Sequence, residues 1–227
     1  MELEIEALVS KGIGYVSPED IGRAKRIDDG RYRYIERVKS SFPNQMRLDG
    51  LKVVIDCANG AGYKAAPEVL WELGAEVIPV GVSPDGRNIN LECGSTSPTV
   101  AAETVVAHGA DVAICLDGDA DRVLIIDEYG RPIDGDQFLG MIGSRWFKNG
   151  NLVENTLVST VMSNMGLEAF LKQEGIKLVR TSVGDRYVVE RMRLNGFNLG
   201  GEKSGHVVMM DYACLLYTSD AADEGHC

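Results

Sequence analysis

Residues 111–127 constrain this chain more than any other stretch. They read D-V-A-I-C-L, then D-G-D-A-D-R, then V-L-I-I-D. Each apolar run has the length and composition of a buried strand, and the segment between them carries the acidic residues. Asp117, Asp119 and Asp121 stand at alternate positions. In extended chain such positions share one side, so three negative charges are expected to crowd together. Left alone, that crowding is unfavourable. A hard divalent cation such as Mg²⁺, which takes oxygen ligands, resolves it.

Three readings compete for the loop. A solvated acidic turn fits poorly, because such turns rarely lie between two apolar strands. A calcium loop of the EF-hand kind would use Asp117, Asp119, Asp121 and Glu128. It fails because Arg122 stands where the sharp turn needs glycine and because the flanks read as strands rather than helices. The favoured reading is a metal site for phosphoryl chemistry, with Arg122 beside the metal to neutralise phosphate oxygens.

Composition narrows the partners. The chain has 227 residues, with 23 Lys and Arg against 34 Asp and Glu, a formal net charge of −11. That length suits one large domain or two ordinary ones. The acidic balance argues against nucleic acid, which needs a basic surface. Phosphorylated substrates stay open, since local arginines and a metal override the global sign. Five cysteines occur without a C-x-x-C pair. Cys57 and Cys115 sit in apolar strand contexts and read as buried thiols, which points to a reducing cytoplasm. Neither a signal peptide nor a bilayer-length apolar run is found, so export and membrane insertion are not expected.

Residues 1–10 suggest a short amphipathic helix, and Pro18 a helical first turn. Nothing before Asp49 carries chemistry. From there a βαβ unit is expected, with a strand at 52–56, a Gly-rich loop at 57–64, a helix at 65–73 closed by Gly74, and a strand at 75–80. Gly60 to Ala65 also fits the G-x-G-x-x-A dinucleotide fingerprint. Pro79-Val80-Gly81 replaces the acid that would bind ribose, so a tight strand-to-helix turn is preferred. A helix at 99–108, with His108 near its end, precedes the metal loop, and residues 128–131 read as a hairpin turn. Asp134 and Asp136 resemble a second acidic pair, but Asp136 is more simply a helix cap. After Asn149-Gly150-Asn151 a second α/β unit begins, with strands at 156–160 and 177–181 and helices at 164–173 and 187–193. No internal sequence repeat is convincing. The stretch Cys214–Cys227 offers neither a strand partner nor a cap, and reads as foreign sequence.

A second constellation is G-E-K-S-G-H. Glu202, Ser204 and His206 alternate, and would point the same way if the loop were extended. Glutamate accepts from sugar hydroxyls, serine adapts, and histidine moves protons near neutral pH. A polar hairpin with a surface histidine fits the same residues. Gly184-Asp185-Arg186 is either a substrate loop or a capped helix start.

Taken together, L-D-G-D-A-D-R-V, T-S-V-G-D-R-Y-V-V-E and G-G-E-K-S-G-H, in this order, resemble the α-D-phosphohexomutases. C-A-N-G-A-G-Y, E-L-G-A-E-V-I-P, P-D-G-R-N-I-N and C-G-S-T add to the likeness, which covers residues 21–213. It implies an α/β fold of consecutive α/β/α units with mixed sheets, the second and third domains of that family. Residues 1–48 would be a remnant of a first domain and a connector, and 49–150 the unit with the metal loop. Residues 151–213 would be an incomplete unit with the sugar loop, and 214–227 a non-native tail.

The resemblance implies Mg²⁺ on Asp117, Asp119 and Asp121, with Arg122 and His206 catalytic. Asp185, Arg186, Glu202, Ser204 and His206 would bind the substrate, a phosphorylated amino sugar. The implied reaction interconverts glucosamine 6-phosphate and glucosamine 1-phosphate through a phosphoserine and a bisphosphate, a cytoplasmic step toward UDP-N-acetylglucosamine. A homodimer is open for the full-length protein, and neither nucleic acid nor membrane is a partner. Mannose- or glucose-phosphate members of the same superfamily are rivals. A haloacid-dehalogenase-type phosphatase, with Asp117 as phosphoryl acceptor, is a more distant one. Lys203 departs from the family's usual Gln. Larger departures are the lack of a T-A-S-H-N-P-like phosphoserine loop and of an R-x-S-G-T-E-P-like phosphate loop. The chain is therefore expected to be a fragment, inactive by itself.

Overall fold

Residues 2–12 and 14–212 are described by the computed structural model. They fall into two units, one at 1–33 and one at 34–227. The first holds α1 (Glu2–Lys11) and a single 3-10 turn at Pro18–Asp20. Ser17 does not cap that turn's backbone, and its hydroxyl donates to Asp20 at 2.9 Å instead. Helix α2 (Gly30–Ser40) straddles the division and stops just ahead of Pro43, as the proline requires. The proposed foreign tail, Cys214–Cys227, lies outside the described residues.

The second unit contains two sheets. Strands β1 (Lys52–Asp56) and β2 (Glu76–Val80) flank α3 (Ala65–Glu72), and their β-branched runs suit a pleated, buried surface. Helix α4 (Thr99–His108) follows, then β3 (Val112–Leu116), β4 (Val123–Asp127) and the short β5 (Pro132–Ile133). The sheet order is β2-β1-β3-β4-β5. β1 runs parallel to β2 and β3, whereas β3–β4 and β4–β5 are antiparallel. Val54, Ala113 and Ile126 lie side by side in this register and pack with Ala101 and Val105 of α4. Gly109 ends α4 in the left-handed conformation that favours glycine.

Helix α5 (Gly135–Lys148) leads into the second sheet. Strand β6 (Thr156–Thr160), helix α6 (Met165–Glu174), strand β7 (Lys177–Thr181) and helix α7 (Asp185–Asn195) follow, then strands β8 (Leu199–Gly201) and β9 (Val207–Met209). The order is β7-β6-β8-β9, with β6 parallel to β7 and β8 and with β8–β9 antiparallel. Leu157, Leu199 and Val207 pack with Leu139 and Trp146 of α5 and with Leu167 and Leu171 of α6. Val158 and Val208 pack with Val188, Val189 and Met192 of α7. Helices therefore cover both faces of this sheet. Truncating a fully buried side chain such as Leu157 to Ala costs about 2–5 kcal/mol.

Two expectations change. The cap of α5 is Asp134, not Asp136. The Asp134 carboxylate accepts from the Asp136 backbone N–H at 2.9 Å, and Gln137 accepts from the Asp134 N–H, completing a capping box. Asp136, buried one turn in, accepts from the Asn164 N–H at 2.7 Å and so ties α5 to the start of α6. The lack of a sequence repeat also conceals a repeated topology. β1-α3-β2-α4-β3-β4 and β6-α6-β7-α7-β8-β9 have the same strand order and the same terminal hairpin.

Candidate metal and substrate site

Both hairpins of that repeated topology carry the singled-out loops. In the β3–β4 hairpin the three aspartates come together, though not by alternation along extended chain. The Ala120 N–H donates to the Asp117 carbonyl at 3.1 Å, and Ala120 itself is left-handed at φ +63°. This tight turn places one carboxylate oxygen from each of Asp117, Asp119 and Asp121 within 4.8 Å of the others. Asp117 is 1% exposed, Asp119 exposed and Asp121 half-buried.

Arg122 compensates part of this charge. Its backbone N–H and Nε both donate to the Asp117 carboxylate, at 3.1 and 2.8 Å. Burial alone would raise the Asp117 pKa, but the bonds from Arg122 and Asp121 and the guanidinium charge outweigh it and hold the carboxyl low. Asp121 is pushed up, first by burial, then by its hydrogen bond to Asp117 and the charges of Asp117 and Asp119. Asp121 Oδ1 lies 3.4 Å from Arg122 Nε as an ion pair, yet it is buried and accepts no hydrogen bond. Three converging carboxylates with an unsatisfied buried oxygen fit a hard divalent cation. They form the one such group of acidic, His or Cys side chains among the described residues.

Glycine makes the loop possible. A Cβ on Gly118 would run into Ile89 and Asn90, and one on Gly60 would run into the Gly118 carbonyl. Gly60 therefore serves close backbone packing under the acidic loop, which accounts for the fingerprint-like spacing without a dinucleotide.

The β8–β9 loop departs from expectation more strongly. It is a turn in which the Gly205 N–H donates to the Glu202 carbonyl at 3.0 Å, with Gly205 at φ +93°. Alternation is broken there, so Glu202, Ser204 and His206 do not share a side. The Glu202 carboxylate accepts from the Gly184 N–H at 3.0 Å, which joins it to the start of α7. Ser204 is exposed. His206 is buried, with Nδ1 3.4 Å from Asp121 Oδ2 and Nε2 without a hydrogen-bond partner. It belongs with the acidic loop. The two hairpins also meet through the backbone, where the Val123 N–H donates to the Gly205 carbonyl at 3.1 Å. Asp185 opens α7 with its carboxylate on the Arg186 N–H at 2.7 Å, and Arg186 is exposed.

One buried acid, Asp56, is not among the residues the sequence singled out. The signal for Asp56 was present, because an acid closing an apolar strand ahead of a Gly-rich turn needs amide donors to be buried.

Known proteins are similar to this chain in sequence and fold. Residues 32–130 match the family model for phosphoglucomutase/phosphomannomutase α/β/α domain II, and residues 134–222 match that for domain III. The chain belongs to the phosphoglucomutase/phosphomannomutase family. It is 70% identical over 212 residues to a phosphoglucosamine mutase of Roseobacter denitrificans, covering 93% of this chain and 47% of that one. A phosphoglucosamine mutase of a Ruegeria species is 69% identical over 94% of this chain and 48% of its own length. The chain thus spans about half the length of the curated relatives it matches. Among solved structures, a putative phosphomannomutase of Thermus thermophilus superposes with a TM-score of 0.71 at 21% identity, covering 84% of this chain and 44% of that one. That degree of identity shows the fold alone, consecutive α/β/α domains with mixed sheets. Among the described residues no helix is long and apolar enough to cross a membrane.

Proposed function

We propose that this chain is the metal- and sugar-binding half of a phosphoglucosamine mutase, which interconverts glucosamine 6-phosphate and glucosamine 1-phosphate. The observation that carries the reading is the convergence of Asp117, Asp119 and Asp121 within 4.8 Å, with Arg122 bonded alongside, in a chain so similar to phosphoglucosamine mutases.

Asp117, Asp119 and Asp121 would hold Mg²⁺. When bound, the cation supplies a Lewis acid that draws charge from phosphoryl oxygens. Arg122 keeps 42% of its side chain exposed, enough to meet those oxygens beside the carboxylates. Glu202 and Ser204 would accept and donate to sugar hydroxyls, with Asp185 and Arg186 orienting the substrate from the start of α7. His206 is the local candidate for proton transfer, and its contact with Asp121 supports a role beside the metal loop. Phosphoryl transfer of this kind needs mainly positioning and charge neutralisation. The phosphoserine that the family resemblance implies would come from outside these residues. A reducing cytoplasm is the proposed compartment. It suits the three buried free thiols among the described residues, Cys57, Cys93 and Cys115, of which Cys57 and Cys115 are pushed up to about 12 by burial and then by the Asp56 charge.

The test is to purify the chain and titrate Mg²⁺, then add glucosamine 6-phosphate and glucosamine 1,6-bisphosphate and follow glucosamine 1-phosphate. Magnesium binding without turnover is the expected result. Turnover by the chain alone would overturn the division of labour and make Asp117 the first suspect as phosphoryl carrier. Mannose and glucose phosphates run in parallel on a full-length relative separate the superfamily's substrate classes.

A further inference from the structure

Asp56 ends β1 and is completely buried, with no cationic side chain bonded to it. Its two oxygens take one backbone amide from the turn that follows it and one from 38 residues away. Oδ1 accepts from the Ala58 N–H at 2.9 Å and Oδ2 from the Gly94 N–H at 2.7 Å. Each of these amides belongs to a turn with left-handed backbone. Ala58 and Asn59 are left-handed at φ +53° and +50°, and Gly94 stands at φ +78°. Beyond each turn the chain reaches the acidic loop. The Ala61 N–H donates to the Gly118 carbonyl at 2.8 Å, and the Ser95 N–H donates to the Leu116 carbonyl at 2.9 Å. Those two carbonyls flank Asp117 in sequence.

We infer that Asp56 is a positioning residue for the acidic loop. It braces both turns whose amides grip the backbone on either side of Asp117. A carboxylate suits this post because it is acceptor-only and serves two converging amides at once. Asparagine has the same shape but a single acceptor oxygen, and it would turn an NH₂ group toward one of the donors. Both Asp56 oxygens are engaged by backbone amides and Asp56 is not one of the converging carboxylates, so the effect on metal passes through the backbone, as supporting residues behind a metal site act.

The inference rests on the metal reading of the loop, so the experiment needs a readout that does not involve metal. Amide hydrogen exchange is measured on the full chain without metal, for the parent, D56N and D119N, and each is then titrated with Mg²⁺. In D56N the Ala61 and Ser95 amides should lose their protection and Mg²⁺ affinity should fall about tenfold. In D119N metal binding should be lost while both amides stay protected. Parental protection and parental affinity in D56N would overturn the inference. A parent that binds no Mg²⁺ would sink the metal reading, and the exchange data would still decide the role of Asp56. Should D56N fail to fold, the parent settles the matter. Protection at Ala61 and Ser95 must then be lost in the same opening event as protection at Ala58 and Gly94, and separate openings would overturn the brace.

Discussion

The β3–β4 and β8–β9 hairpins occupy equivalent places in two sheets of the same strand order, yet they treat charge in opposite ways. The first brings three carboxylates together, buries Asp117 and leaves an Asp121 oxygen without a hydrogen bond. The second keeps Lys203 and Ser204 exposed and engages Glu202 with a backbone amide. What differs is the packing beneath each turn. Gly60 and Gly118 allow backbone to press directly on the acidic turn, whereas the β8–β9 turn leans on the other hairpin through Gly205 and His206. One topology thus carries a cluster of converging carboxylates and, beside it, a loop whose outer side chains are exposed.

Changing one hairpin at a time tests this contrast. Asp119→Asn removes a ligand charge from an exposed position, so it should leave folding intact. It should weaken Mg²⁺ binding by more than the roughly 10–100-fold typical of residues behind a metal site, as read by calorimetry. Unchanged affinity would break the comparison at its root. Gly205→Ala should strike both hairpins at once, because Gly205 is left-handed and a Cβ there would run into the Val123 carbonyl. Strain at such a position costs about 1–3 kcal/mol, and denaturant unfolding should show at least that loss. Little loss would mean that the hairpins are not braced against each other.

Smaller effects sharpen the difference between the units. Asp134→Ala deletes the capping box of α5 and should cost about 1 kcal/mol in thermal unfolding, without moving Mg²⁺ affinity. Lys148→Met removes the cation that, with Ser144, holds the Glu174 carboxyl below its ordinary range. A depressed carboxylate adds stability above its unfolded pKa and loses it as pH falls through the folded value. The gap between K148M and the parent should therefore be small, present at neutral pH, and closed in acid. A gap that persists in acid would assign the effect to packing of the lysine stem.

Short-range chemistry made much of this molecule readable in its sequence. The strands at Lys52–Asp56, Val123–Asp127, Thr156–Thr160 and Lys177–Thr181 and the helix at Thr99–His108 occur where apolar runs and their ends place them. The closeness of Asp117, Asp119 and Asp121 was equally evident, since five consecutive residues carry it. The conformation that achieves it was not. Alternation implies an extended chain, whereas Ala120 is left-handed and its N–H closes a tight turn on the Asp117 carbonyl.

Everything that depends on residues far apart in sequence was decided by tertiary structure. Asp136 yields the cap to Asp134 because its carboxylate is needed by Asn164, 28 residues away. His206 comes within 3.4 Å of Asp121 on the other hairpin, and Asp56 reaches Gly94 across 38 residues. The common strand order of the two sheets belongs to the same class. Periodicity and capping act over a turn or two of chain, while a buried polar atom must find its partner wherever the packed fold presents one.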